Sequence, residues 1–443
     1  MQDATLFPGM DVSNPIISSP LAATALLMDR PRLRRPDRQQ VLMEPCCLED
    51  RLPTDHPART IWAVVEKLDL SQFYAAITAR GSEPGRSATD PRLLVGLWLF
   101  AATEGVGTGR ELDRLCREHD AYRWLCGGVS MNYHTLNDFR VAHETALDDL
   151  FTKVLAMLMH HDLVTVTRIS QDGTRVRASA GVSSFRSRAT LEKRLLEAQA
   201  HVEALKKQAE EGPAESARRQ AARERGARER VSRLVAAMAE LPKVEAAKAA
   251  LRADKPSKQQ PPRVSMTDPE ARKMKMGNGG FNPAYNVQLA ADTQSRAIVA
   301  VEVANEGTDN RQSEPLRRQV EQRTGRKVEE HLLDGGYLNL DVIERTETSG
   351  VRLYLPVHPN QTQSAKAKPA GPGVTAWRGR METPEGKTIY LQRAATSETV
   401  NADLKTHRGL RGFGVRGLAK VRCVALWSAL AYNVLRFAEA LMT

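Results

Sequence analysis

The chain predicts an α/β fold with an all-α unit added at its N-terminus, on three observations. Helix-spaced apolar residues fill the stretch from Trp62 to about residue 160, and alternating β and α patterns run from about 264 to the C-terminus. Between them, residues 188 to 253 are a different material, made mostly of Ala, Glu, Arg, Lys and Leu. At ~150 residues per domain, 443 residues suggest about three units. Hydrophobic residues at 41% and charged residues at 26% are a globular balance, and aromatics at 5% leave an aliphatic core. A formal net charge of +11 suits a polyanionic partner, of which nucleic acid is the common one. Cys46, Cys47, Cys116, Cys126 and Cys423 form no C-x-x-C pair, which argues against zinc and for a reducing compartment. The longest apolar stretch, Leu93 to Ala102, is about half the ~20 residues of a membrane span, and the N-terminus lacks a signal-peptide n-region. A soluble intracellular protein is expected.

Residues 1–60 read as an irregular basic arm, broken by Pro15, Pro20, Pro31, Pro36, Pro45 and Pro53, with a basic run from Arg30 to Arg35. Residues 61–160 read as a helical domain. Pro91 opens one helix, and Thr108 with Glu111 has capping-box spacing. Thr135 with Asp138 has a second such spacing, expected to open another helix. The pattern suits a helix-turn-helix reader of DNA and a plain helical bundle equally.

Residues 162 to 170 read as a strand ending in a turn at Gln171-Asp172-Gly173. Residues 188–263 read as a helical hairpin broken near Gly212-Pro213, followed by a linker from Lys255 to Arg263. Strands are then expected at 284–291, 297–304, 328–333 and 351–355, with helices at 311–323 and 338–348. A β-rich excursion is expected over 376–394, then a helix from Ser397 and a long closing helix from Val415 to Leu441. That order is the order of an RNase H-like mixed sheet, with the coiled-coil-like hairpin inserted after its first strand. The catalytic unit would be 161–187 and 264–443.

Asp172 and Asp334 stand at expected strand ends, each followed by glycine. A helix-borne Glu398, with Ser397 as its N-cap and Lys405 two turns on, supplies a third carboxylate. Three such groups suit two Mg²⁺ or Mn²⁺ ions ~4 Å apart. Taken singly, each Asp-Gly is an ordinary turn former and Glu398 with Lys405 an ordinary surface pair. Asp292 and Asp309 are competing acids, read first as a hairpin-turn residue and as the cap of the next helix, and His331 reads as a packed histidine.

These residues carry a resemblance. From Trp62 to Phe437 the chain resembles bacterial insertion-sequence transposases of the acidic-triad (DDE) class, in the group with an InsH-like N-terminal domain. The stretch from Leu93 to Arg140 is similar to their helical DNA-binding module, and Thr267 to Asp292, with Lys273 and Lys275, to a family hallmark. Leu-Leu-Asp334-Gly-Gly-Tyr337 resembles the second-Asp motif. Tyr390, Arg393, Glu398 and Lys405 resemble the Tyr-Arg-Glu-Lys signature, except that four residues separate Arg393 from Glu398 where three are usual.

The resemblance implies Asp172, Asp334 and Glu398 as catalytic metal ligands for two Mg²⁺ (or Mn²⁺). It implies Tyr390, Arg393, Lys405, His407, Arg408, Lys273 and Lys275 as DNA contacts. The expected activity is cutting at element ends and joining the 3′-hydroxyl to target double-stranded DNA, by a homodimer in the bacterial cytoplasm at the nucleoid. A non-catalytic DNA-binding protein is the alternative, using the helical unit and basic surfaces alone.

Overall fold

The computed structural model describes residues 39, 47–78, 87–210, 217–252, 261–357 and 371–443. Leu48–Thr443 forms one compact unit, and the other, Met1–Cys47, lies almost wholly outside the described residues, as does the expected basic run Arg30–Arg35. The expected hairpin break at Gly212-Pro213 and most of the linker are also outside them.

The strands are β1 (Arg168–Arg177), β2 (Phe185–Arg186), β3 (Val264–Ser265), β4 (Arg272–Lys275), β5 (Phe281–Asp292), β6 (Ile298–Ala304), β7 (Glu330–Leu332) and β8 (Arg352–Tyr354). Among the described residues β2 and β3 pair alone and the other six strands form one mixed sheet. β1 is central, antiparallel to β5 on one side and parallel to β7 on the other, with β8 parallel beyond β7. β4 and β6 share the outer edge of β5, both antiparallel, β4 along Phe281–Ala284 and β6 along the residues from Asn286. Central strands covered on both faces read as continuous apolar runs, and β5 is buried at every position from Pro283 to Asp292.

The N-terminal helices pack onto this sheet within one continuous hydrophobic core. Helix Pro91–Thr103 starts where Asp90 accepts from the Arg92 amide and is buried on nearly every side. Thr108 caps Gly109–Glu118 by accepting from the Glu111 amide at 3.2 Å, as its spacing predicts. The second expected cap lies three residues earlier than read: Asn132, not Thr135, accepts from the Thr135 amide and opens Tyr133–Ala142. Asn is the stronger cap, so the shift follows from cap chemistry.

The apolar helix Leu418–Arg436 binds the two halves together. It is long and apolar enough to cross a membrane, yet 72% of its apolar window is buried inside the protein, as in a core helix. Trp427 donates its indole N–H to the Arg140 carbonyl at 3.1 Å on the helical side. On the sheet side Asn433 accepts from the Ile298 amide at 2.9 Å and donates to the Ile298 carbonyl at 2.8 Å, completing the end of β6.

Helices Arg188–Glu210 and Ala217–Arg252 lie side by side and antiparallel. Leu191 and Ala198 pack with Leu234, Ala237 and Leu241, while Val202 and Leu205 meet Ala227 further out. Arg188 pairs with Glu245 at 2.8 Å at the inner end.

The expected β excursion over 376–394 is helical instead. Pro372 and Pro384 each stand at a first helical position, opening Pro372–Glu382 and Pro384–Arg393. Val374, Trp377 and Met381 recur at helical spacing and are buried, so the β-prone residues here serve a helix face.

Candidate active site: carboxylates on a strand, a strand-end turn and a widened helix turn

β1 does not end at Asp172, as the turn reading expected, but runs on to Arg177. β7 stops at Leu332, opposite Ser170, so Asp172 lies two residues further along β1 and Asp334 two residues past the end of β7. Asp334 caps the short turn Gly335–Tyr337, accepting from the Gly336 amide at 2.8 Å. Burial, and next the charge of Asp334, push the Asp172 carboxyl up to about 6.

Gly173 is needed for room rather than for a turn. It faces Gln288 across the β1–β5 pair, and a side chain there would collide with Asp309 and Gln288 and come within 2.9 Å of the Asn286 Oδ1. Asp309 was expected to cap the next helix, but that helix begins after Gln312 with no side-chain cap. Its carboxylate instead turns inward, accepting from Asn286 at 2.6 Å and Gln288 at 2.7 Å and pairing with Arg175 at 3.3 Å. A side chain at Gly336 would touch both Asp334, at 3.0 Å, and Asp309, at 3.4 Å, so the two carboxylates flank that glycine. Asp309, Asn286 and Gln288 therefore belong to the floor of the crevice; the sequence reading took Asp309 for a helix cap and missed the two amides. Their signal was two amides at alternate positions of an otherwise apolar strand, on one face. Asp292 and His331 stand as expected, Asp292 accepting from Ser295 at 2.8 Å in the hairpin turn and His331 buried in β7.

Glu398 comes from the opposite wall. Ser397 is not its N-cap: helix Pro384–Arg393 continues through a π turn, Ala394–Glu398, into Thr399–Thr406. A π turn holds one residue more than an α turn, and it coincides with the extra residue between Arg393 and Glu398. Five residues apart, the two side chains therefore still face one another and pair at 3.0 Å. The buried Ser397 hydroxyl meets the Ser170 hydroxyl, and one helical turn on Asn401 donates to Asp172 at 2.9 Å. Four helical residues and two strand residues both span roughly 6 Å, so this helix tracks β1 step for step.

Arg393 is the hinge of the arrangement. Its side chain is 16% exposed, with one end at 3.0 Å from Glu398 and the other at 4.0 Å from Asp172. Tyr390, half-buried, touches the same guanidinium, and burial pushes its hydroxyl up. Lys405 is half-buried within reach of the Asp172 charge, and desolvation lowers its ammonium. His407 is exposed. Arg408 is spent on structure, bonding Asp403 at 2.9 Å and the Thr103 carbonyl at 2.8 Å. Lys273 and Lys275 are exposed on the edge strand β4, with the Lys273 ammonium 5.1 Å from the Phe185 ring.

Among the described residues no three His, Cys, Asp or Glu side chains are grouped tightly enough to hold a metal ion by themselves. The pair Asp172 and Asp334 nonetheless suits a hard divalent cation: all its donors are carboxylate oxygens, and one carboxyl is destabilised by the charge of the other. Glu398 stands one guanidinium away from that pair.

Comparison with known families finds two matches. Residues 46–142 match a family described as Transposase domain (DUF772), and residues 362–438 match one described as Transposase DDE domain. No curated protein and no solved structure matches the chain. The second match contains Tyr390, Arg393, Glu398 and Lys405, whereas Asp172 and Asp334 lie outside both.

Proposed function

Because the chain belongs to the DDE transposases of insertion sequences, we propose that it cuts DNA at element ends and joins the freed 3′-hydroxyl to target DNA, with Asp172, Asp334 and Glu398 as metal-binding catalytic residues. One observation carries this assignment: the charge of Asp334 reaches Asp172 just past the end of β7, while Arg393 ties Glu398 to Asp172. The sheet order β6-β5-β1-β7-β8, antiparallel then parallel, supports an RNase H-like catalytic unit of 161–187 and 264–443. Residues 61–160 would then bind DNA, and 188–263 form an inserted helical hairpin.

Asp172 and Asp334 would hold Mg²⁺ or Mn²⁺ from the strand side and Glu398 from the helix side. Bound divalent cations supply an activated attacking oxygen and a stabilised leaving oxygen. Asn401 and the Gly173 amide each donate one hydrogen bond to Asp172, which orients its carboxylate. Lys405, beside that carboxylate, would set a positive charge against the scissile phosphate, and Tyr390 would line the same wall. Exposed Lys273, Lys275 and His407 would meet the DNA backbone further out, with Arg408 bracing the wall from behind. Joining two element ends calls for two protomers, so a homodimer on double-stranded DNA is the working assembly.

Incubation with an element-end duplex and Mg²⁺ tests the reading. The expected result is end cleavage followed by strand transfer, both lost in Asp172→Ala and Glu398→Ala. Full activity in either variant would overturn the site, and binding without any Mg²⁺-dependent cleavage would favour the non-catalytic alternative.

A further inference from the structure

Arg393 is placed unlike a residue waiting for a phosphate. Its side chain is 16% exposed, and its two ends address two carboxylates, Glu398 at 3.0 Å and Asp172 at 4.0 Å. The π turn Ala394–Glu398 is what brings the first of these contacts about. A planar guanidinium with donors on both sides is suited to bridging two carboxylates. It lies where Glu398 must approach Asp172 for the two to share a cation, which accounts for the absence of a closed three-ligand group among the described residues.

We propose that Arg393 is an internal counter-cation: in the metal-free protein its guanidinium holds the gap between Asp172 and Glu398, and it gives way when a divalent cation enters. This rests on the assignment of those carboxylates as metal ligands. The site is then kept assembled but closed, because Asp172 and Glu398 are drawn toward one positive charge. Entry of the cation exchanges one set of ion pairs for another. The released guanidinium is left at the rim of the crevice, free for DNA phosphate only after metal has bound. Arg393 is thus a positioning residue whose effect passes through the two carboxylates.

The test measures Mn²⁺ binding to the full DNA-free chain by the electron paramagnetic resonance signal of free Mn²⁺. Arg393→Gln removes the competing charge and should bind Mn²⁺ about tenfold more tightly than the unaltered protein. Arg393→Lys, which keeps the charge, should bind about as the unaltered protein does. Equal affinity in the unaltered protein and Arg393→Gln overturns the proposal while leaving the metal site standing. No Mn²⁺ binding by any of the three overturns both. A second measurement needs no variant: phenylglyoxal labelling of Arg393, read by peptide mass spectrometry, should rise severalfold when Mn²⁺ replaces EDTA. Unchanged labelling, in a protein that binds Mn²⁺, refutes the exchange.

Discussion

Asp172 is set by the sheet, within β1 over a crevice floor of Asn286, Gln288 and Asp309, and Asp334 stands two residues past the end of β7. Glu398 hangs from a helix widened by a π turn, its side chain 62% exposed and steadied by one arginine. The strand half has no freedom to retreat from its own charge, so Asp172 keeps a raised carboxyl. The helix half spends its charge on Arg393 and can exchange that partner. If these carboxylates hold a metal as proposed, the rigid half would create the demand for a cation and the adjustable half would complete its shell.

The largest expected effect is on the rigid half. Asp172→Asn or Asp334→Asn should lower end cleavage by at least about 10³-fold, because on the proposed assignment each removes a metal ligand at the reacting centre. Thermal midpoints should stay level or rise, since the neighbouring carboxylate loses a repulsive partner. A loss of cleavage accompanied by unfolding would remove the distinction between the two halves.

Rigidity of the sheet half can also be read by pH. His331, buried in β7 three residues before Asp334, is pushed by burial down to about 3. A histidine held neutral contributes stability in full above its unfolded value near 6.5, and loses it as pH falls toward 3. Denaturant unfolding between pH 7 and pH 4 should therefore show a loss of about 3 kcal/mol attributable to this group. His331→Phe should flatten that part of the profile; an unchanged slope would show that burial of this imidazole is not what weakens the sheet in acid.

Deletions sharpen the helix side. Removing Ala395 should let the π turn close into an α turn, returning Arg393 and Glu398 to four-residue spacing on one face. Cleavage should then stay within about tenfold of the starting protein. Removing Ala402, in the regular helix, rotates Lys405 by about a quarter turn and should cost roughly 10²-fold. Equal losses from both deletions would refute the view of the π turn as a housed extra residue. The smallest effect is at the contact between the halves: Ser397→Ala, losing the hydroxyl pair with Ser170, should cost about 1 kcal/mol in unfolding free energy.

Much of this was legible along the chain because it depends on near neighbours. Pro91 and Thr108 start helices through groups one to three residues away, and the strands at 284–291 and 297–304 show in runs of β-branched and apolar residues. The three carboxylates could be picked out by residue type and position, and the Tyr-Arg-Glu-Lys pattern by its resemblance to the family signature. The misreadings share a cause. Asp172-Gly173 looks like a turn, and only its partner strand shows that the glycine makes room for Gln288 and Asp309. The stretch 376–394 carries β-prone residues, and its helices are decided by the cluster of Val374, Trp377 and Met381 against β8. Ser397 resembles a helix start until Ser170, 227 residues away, is seen to receive it.

The amino-acid order alone thus settled which side chains carry charge and where the locally capped helices and the most apolar strands lie, and the family resemblance showed that one residue too many separates Arg393 from Glu398. Tertiary structure decided what those residues face. Whether a carboxylate is a turn former, a cap or half of a cation site depends on charges and dipoles brought within a few ångströms by contacts distant along the chain. Local propensity has no term for them.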